Sequence, residues 1–222
     1  MPRAKRQQPP TNETYPDLQR AFDWFNTQLF SGALPPVLIT LQRKKGAGGY
    51  FSPERFTHTE NAGKHVHEIA LNPQHFRAQT TTDVLAILVH EMTHLWQQHH
   101  GTPPRRCYHN HEWARKMIAV GLHPSDTGNP GGKIVGQRMT HYIIPDGPFA
   151  KACARLLATS PPALYADRAE EPAAEKKRAS KTKYTCPGCG LNAWAKPGAK
   201  LVCGECDSPM IPEESQPTEE DD

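Results

Sequence analysis

At 222 residues with 36% hydrophobic side chains and 22 prolines, the chain has room for one domain of ordinary size, a small module and a good deal of linker. The N-terminal MPRAKRQQPP has no apolar segment and the longest apolar run is Val84 to Val89, which argues against a signal peptide and a membrane span and for a cytoplasmic protein, nucleoid-associated if bacterial. Residues 207–222 carry seven acids and no Lys or Arg, so the rest of the chain holds all 26 basic residues against 16 acids, a basic body suited to a polyanion partner.

Residues 1–13 are polar and proline-containing, the composition of a disordered arm. From Tyr15 to Phe30, Leu18, Phe22, Phe25 and Leu29 keep a helical period. Ser31 to Pro36 break it, and Val37, Ile39 and Leu41 then alternate as a strand does. A glycine-rich turn, Lys44 to Gly49, leads to Tyr50-Phe51, and His65 to Leu71 is a further strand candidate ended by Asn72-Pro73.

Thr82 to His100 reads as one uninterrupted helix, with Thr82 or Asp83 as cap and Gly101 as stop. Leu85, Leu88, Val89, Met92 and Trp96 give it a core face. Within it stands His90-Glu91-Met92-Thr93-His94, an HExxH motif. Its two histidines are one turn apart on one face, so both imidazoles reach a single ion. Glu91 is offset by about 100° from His90, beside the ion rather than on it, where it can take a proton from a metal-bound water. The pattern is short and also arises by chance; its position in mid-helix, after an apolar run, gives it weight. Strands leading into such a helix are the order of a small α+β metallopeptidase domain whose sheet edge can pair with an extended peptide.

A catalytic zinc needs a third protein ligand. Beyond the loop 102–106, Cys107, His109, His111 and Glu112 compete for that place, just before a short helix over 111–120 that Gly121 ends. HExxH followed by His109 and then Trp113 resembles the SprT-like family, which includes the bacterial SprT-like proteins and the eukaryotic Spartan protease. Ile69-Ala70-Leu71-Asn72-Pro73 before the central helix fits the same family. In that family the third ligand is a histidine four residues before an aromatic, so the resemblance gives the role to His109, with Trp113 beneath it. The family's glycine after that histidine is replaced here by Asn110, which leaves His111 a rival.

Residues 122–147 are rich in glycine and expected to be mostly loop, with a short strand around His141 to Ile144. His141 or Tyr142 could donate to a developing oxyanion or be structural. Phe149 to Leu157 is a last helix, with Cys153 in its core face. A charged linker, 159–183, follows; its Lys176, Lys177 and Arg178 suit phosphate contacts or a merely solvated linker.

Cys186-Pro187-Gly188-Cys189 and Cys203-Gly204-Glu205-Cys206 are two C-x-x-C pairs, the ligand pattern of a closed structural zinc site. A zinc ribbon over 184–211 is therefore expected, with an acidic tail, 212–222, behind it. Trp194 is either its core or a base-stacking platform.

The expected architecture is α+β: a small zincin-like metallopeptidase domain, 14–158, with its HExxH helix packed on a short sheet, then the linker and the zinc ribbon. The expected chemistry is that of a zinc endopeptidase with Glu91 as base, one catalytic zinc on His90, His94 and His109, and one structural zinc on Cys186, Cys189, Cys203 and Cys206. The resemblance implies DNA-bound or DNA-crosslinked proteins as substrates and a sequence-independent contact with single-stranded or duplex DNA; a monomer is expected, with nothing in the sequence that fixes the oligomeric state. The competing readings are a nucleic-acid-binding adaptor with an inert or structural HExxH site, and a zinc hydrolase acting on something other than protein.

Overall fold

The apolar run Val84–Val89 lies inside α2 (Thr81–His100), the helix around which the N-terminal part of the protein is built. The computed structural model describes residues 9–105, 108–168 and 181–213, which divide between two compact units within residues 1–170 and 171–222. α2 is capped by Thr80 rather than by Thr82 or Asp83. The Thr80 hydroxyl accepts from the Asp83 N–H at 3.2 Å, and the Asp83 carboxylate accepts from the Thr80 N–H at 2.9 Å. This reciprocal box satisfies donors that the first turn would otherwise leave orphaned.

α1 (Pro10–Phe30) starts five residues earlier than the periodicity from Tyr15 indicates, so residues 10–13, expected to be disordered, form its first turn. Proline is tolerated there because the missing N–H has no partner to lose. Leu18, Phe22 and Phe25 of α1 face Leu85, Leu88, Val89 and Met92 of α2 in one apolar core. α4 (Pro148–Thr159) closes that core, with Phe149 stacked on Phe25 at 5.5 Å. Residues 161–167, expected to be linker, lie along this unit: Asp17 accepts from the Ala163 N–H at 2.8 Å, and Tyr165 donates to Glu13 at 2.8 Å.

The sheet on the other side of α2 has the order β1-β3-β2, with β1 (Leu38–Leu41) parallel to β3 (Asn61–Leu71) and β2 (Gly49–His58) antiparallel to it. β2 and β3 form one long hairpin. Its outer half, exposed and polar, carries none of the alternation that marks Ile69 and Leu71, so only the inner half was visible in the sequence. A bulge interrupts β2 between Ser52 and Phe56, where Glu54 takes a φ of 47° and its N–H donates to His67 Nδ1 at 2.9 Å.

α3 (His111–Val120) is stopped by Gly121, whose φ of 96° and close approach to the Phe149 nitrogen, 2.7 Å from where a Cβ would sit, leave room for no other residue. Beyond it, β4 (Leu122–Ser125), unexpected from the sequence, pairs antiparallel with the expected β5 (Thr140–Ile143).

In the C-terminal unit β6 (Thr182–Thr185) lies between β7 (Asn192–Ala195) and β8 (Ile211–Pro212). Tyr184, not Trp194, fills its small core: its hydroxyl donates to the Lys196 carbonyl at 2.9 Å and accepts from the Ala199 N–H at 3.0 Å. Among the described residues no helix is long and apolar enough to cross a membrane.

Candidate metal centre

Because α2 is regular through the motif, His90 and His94 project from one face with ring centroids 5.3 Å apart. The third imidazole comes from the residue before the α3 cap. His109 forms an antiparallel bridge with Gly136, donating its N–H to the Gly136 carbonyl at 2.8 Å and accepting from the Gly136 N–H at 3.1 Å. Its ring centroid then lies 4.8 Å from that of His94 and 5.6 Å from that of His90. One nitrogen from each of the three lies within 4.8 Å of the others. Trp113 floors the group, edge-on to His109 at 4.4 Å and stacked on His94 at 5.3 Å.

His111 does not join them; it is exposed on the first turn of α3. Glu112 points instead at Gln97 and Thr102, and Cys107 lies outside the described residues. Asn110, the departure from the family's glycine, is the α3 cap: its side-chain oxygen accepts from the Trp113 N–H at 3.0 Å and from the Gln97 amide at 2.8 Å. Gln97 also donates to Glu112 at 2.7 Å. It follows His94 by three residues and His90 by seven, so a buried amide on the ligand face was legible from the helical period. Its partners, set by a loop closure, were not.

The donor set fits a borderline cation such as zinc. Burial pushes the pKa of each imidazole down, His94 to about 3, so the ring presents a lone pair rather than a proton. For His109 the Gly136 carbonyl lies 3.1 Å from Nδ1, which places the proton there and leaves Nε2 for an ion.

Glu91 is 5% exposed and sits against the start of β2, where the Phe51 backbone N–H donates to its carboxylate. Burial pushes its pKa up to about 8, while the charge of Lys44 and the Phe51 N–H pull in the other direction. A divalent cation on the neighbouring imidazoles would work with those two toward the carboxylate. Strand and helix come this close because Gly49 has no side chain: a Cβ there would lie 2.9 Å from both Ala70 O and Ile87 Cγ2. Asn72 pins the preceding turn, donating to the carbonyls of Lys44 and Ala47 at 2.9 Å each, and Lys44 Nζ rests 4.3 Å from the centre of the Tyr50 ring.

The second group is Cys186, Cys189, Cys203 and Cys206, whose sulfurs also lie within 4.8 Å of one another. Two knuckles of the same form present them. The Gly190 N–H donates to the Cys186 carbonyl and the Asp207 N–H to the Cys203 carbonyl, both at 2.9 Å, with φ of 74° and 49°. Backbone N–H groups of Cys189 and Gly188 bring the Cys186 thiol down to about 7, and the crowd of sulfurs pushes Cys206 up to about 12. Four sulfurs converging in this way could hold a cation between them. Trp194 is 61% exposed, opposite Lys183 on the outer face of the small sheet, whereas Lys176, Lys177 and Arg178 lie outside the described residues.

The SprT-like family model matches residues 18–130, from the first core residue of α1 past β4. An uncharacterised protein in the mucB 3' region of Salmonella typhimurium is 58% identical over 60 residues, which are 27% of this chain and 80% of that relative. With His90, His94 and His109 all inside a match that covers half its length, the chain belongs to the SprT-like family, a family of metallopeptidase-like domains.

Proposed function

We propose that the protein is a zinc-dependent endopeptidase of zincin type that acts on proteins bound or crosslinked to DNA. The observation that carries the reading is Glu91: a buried carboxylate beside three convergent imidazoles, held against the edge strand β2 of the sheet. A site that only held a structural ion would have no use for it. Zinc held by His90, His94 and His109 would act as a Lewis acid, polarising a carbonyl and acidifying water. Glu91 accepts the proton of the attacking water and passes it to the leaving amine. Strand β2, passing Glu91 at Phe51, offers its backbone to an extended peptide, a way of holding diverse sequences that suits a loosely folded substrate.

The C-terminal unit supplies the address. A second zinc on its four cysteines holds the small sheet, and the exposed Trp194 ring with Lys183 beside it suits stacking on an unpaired base next to a phosphate. The basic residues Lys176, Lys177 and Arg178 add contacts that carry no sequence preference. In a cell this places the enzyme wherever DNA is, the nucleoid of a bacterium.

The test is to incubate the purified chain with a loosely folded basic protein, with and without single-stranded DNA, beside Glu91→Gln. DNA-stimulated cleavage that falls by roughly 10²–10⁴-fold in the variant is expected. Cleavage surviving Glu91→Gln would sink the assigned role of that residue. Cleavage indifferent to DNA would leave a peptidase without its DNA-linked substrate, and no cleavage with tight DNA binding would favour the adaptor.

A further inference from the structure

Strand β5 brings a fourth histidine to the metal centre. His141 stands opposite Pro124 in the β4–β5 ladder, and its Nδ1 lies 3.1 Å from the Nδ1 of His90, with ring centroids 5.3 Å apart. It is not one of the three imidazoles whose nitrogens converge on a common point. Two imidazole nitrogens at this distance share one proton, because two N–H groups would repel and two lone pairs would gain nothing. We propose that His141 is a positioning residue for the metal centre, fixing the tautomer and orientation of His90 by accepting a hydrogen bond from its Nδ1–H.

The inference rests on reading His90, His94 and His109 as a metal site. A neutral His90 that gives its Nε2 lone pair to an ion keeps its only proton on Nδ1, facing His141. His141 must then present a lone pair at Nδ1 and carry its own proton on Nε2. At His109 the Gly136 carbonyl takes the same part, so two of the three imidazoles are locked by acceptors from the stretch that runs from Gly121 through β5. A carboxylate is a common acceptor in this place. It would draw His90 toward imidazolate and offset the charge of the ion, whereas a neutral imidazole holds the ring and leaves that charge for the substrate carbonyl. In the sequence His141 could be read as an oxyanion donor; the structure sets its Nδ1 against His90.

The experiment titrates the full chain with cobalt and zinc against a competing chelator, with His141→Leu and His141→Asn beside it. Cobalt separates the two sites, since only the cysteine site gives a sulfur-to-metal charge-transfer band. His141→Leu removes the acceptor, and the affinity of the histidine site is expected to fall by roughly 10–100-fold with the cysteine site unchanged. His141→Asn places an amide oxygen near the position of Nδ1 and is expected to recover most of the loss. Nitrogen-15 spectra of histidine-labelled, zinc-loaded protein should show His90 with its proton on Nδ1 in the parent. Equal zinc affinity in parent and His141→Leu, an asparagine variant as weak as the leucine one, or a proton on Nε2 of His90 would each overturn the positioning role. A parent chain that takes up no metal on its histidines would instead sink the reading on which the inference rests.

Discussion

The buried imidazoles cost the metal-free protein something that a pH titration can read. His94 is held down to about 3 and His141 to about 4 by burial, and His90 and His109 shift the same way from an ordinary 6.5. Unfolded, these rings take up protons as the pH falls below 6.5; folded, they do not, so the fold is at its firmest above 6.5 and loses stability as the pH falls toward the folded values. Glu91 has the opposite sign. Raised from 4.5 to about 8, it keeps a proton in the folded state that the unfolded chain gives up, and the fold weakens as the pH rises through about 8. Four imidazoles outweigh one carboxyl on the acid side. Metal-free protein is therefore expected to be most stable near pH 6.5, with a steep acid limb and a shallow alkaline one, and zinc should lift the alkaline limb by favouring the Glu91 carboxylate. Melting curves of chelator-treated and zinc-loaded protein check this; a gentler acid than alkaline limb would contradict the burial of these side chains.

At the scale of elements, the packing of α2 against α3 is what brings the three imidazoles together, and Gln97 spans it. Its amide donates to the α3 cap Asn110 and to Glu112, whose carboxylate also accepts from the Thr102 N–H at 2.8 Å. Gln97→Leu keeps the bulk and removes both donors, stranding acceptors in a part-buried place. A loss of roughly 1–3 kcal/mol is expected in urea unfolding of the metal-free protein, and a variant as stable as the parent would show that the bridge carries no net stability. The helices themselves were legible because each has a one-sided apolar period and a stop, as in Leu85 to Met92 before Gly101 or Trp113 and Met117 before Gly121. The ligand pair and Glu91 were legible for the same reason, since helical spacing fixes a face. His109 against His111 was not, because the choice is made by a bridge to Gly136, 27 residues away. The long β2–β3 hairpin and β4 escaped for want of pattern: the outer hairpin buries little on either face, and Leu122 to Ser125 is four residues long with a proline inside.

At the scale of the whole molecule, the two units differ in what holds them. The first has a core that runs from Leu18 to Leu156 across four helices and a sheet, enough apolar surface to fold without an ion. Among the described residues, the buried core of the second is Tyr184, Cys186, Cys203 and Met210, and two of these four are candidate ligands. So small a core does not offset the entropy of ordering some thirty residues, and the second unit is expected to need an ion on its four cysteines to stay folded. The parent is expected to bind two zinc ions per chain, and replacing Cys186 and Cys203 with serine should leave one. In amide spectra of that variant, signals from Tyr184 and Trp194 should collapse toward random-coil positions while those from Leu88 and Trp113 stay put. Peptidase activity on an unstructured substrate should survive and its stimulation by DNA should not. Loss of both ions, or collapse of the Leu88 and Trp113 signals, would mean that the first unit depends on the second for its fold. Survival of the Tyr184 signals would mean that four side chains suffice where the entropy of the chain says they do not.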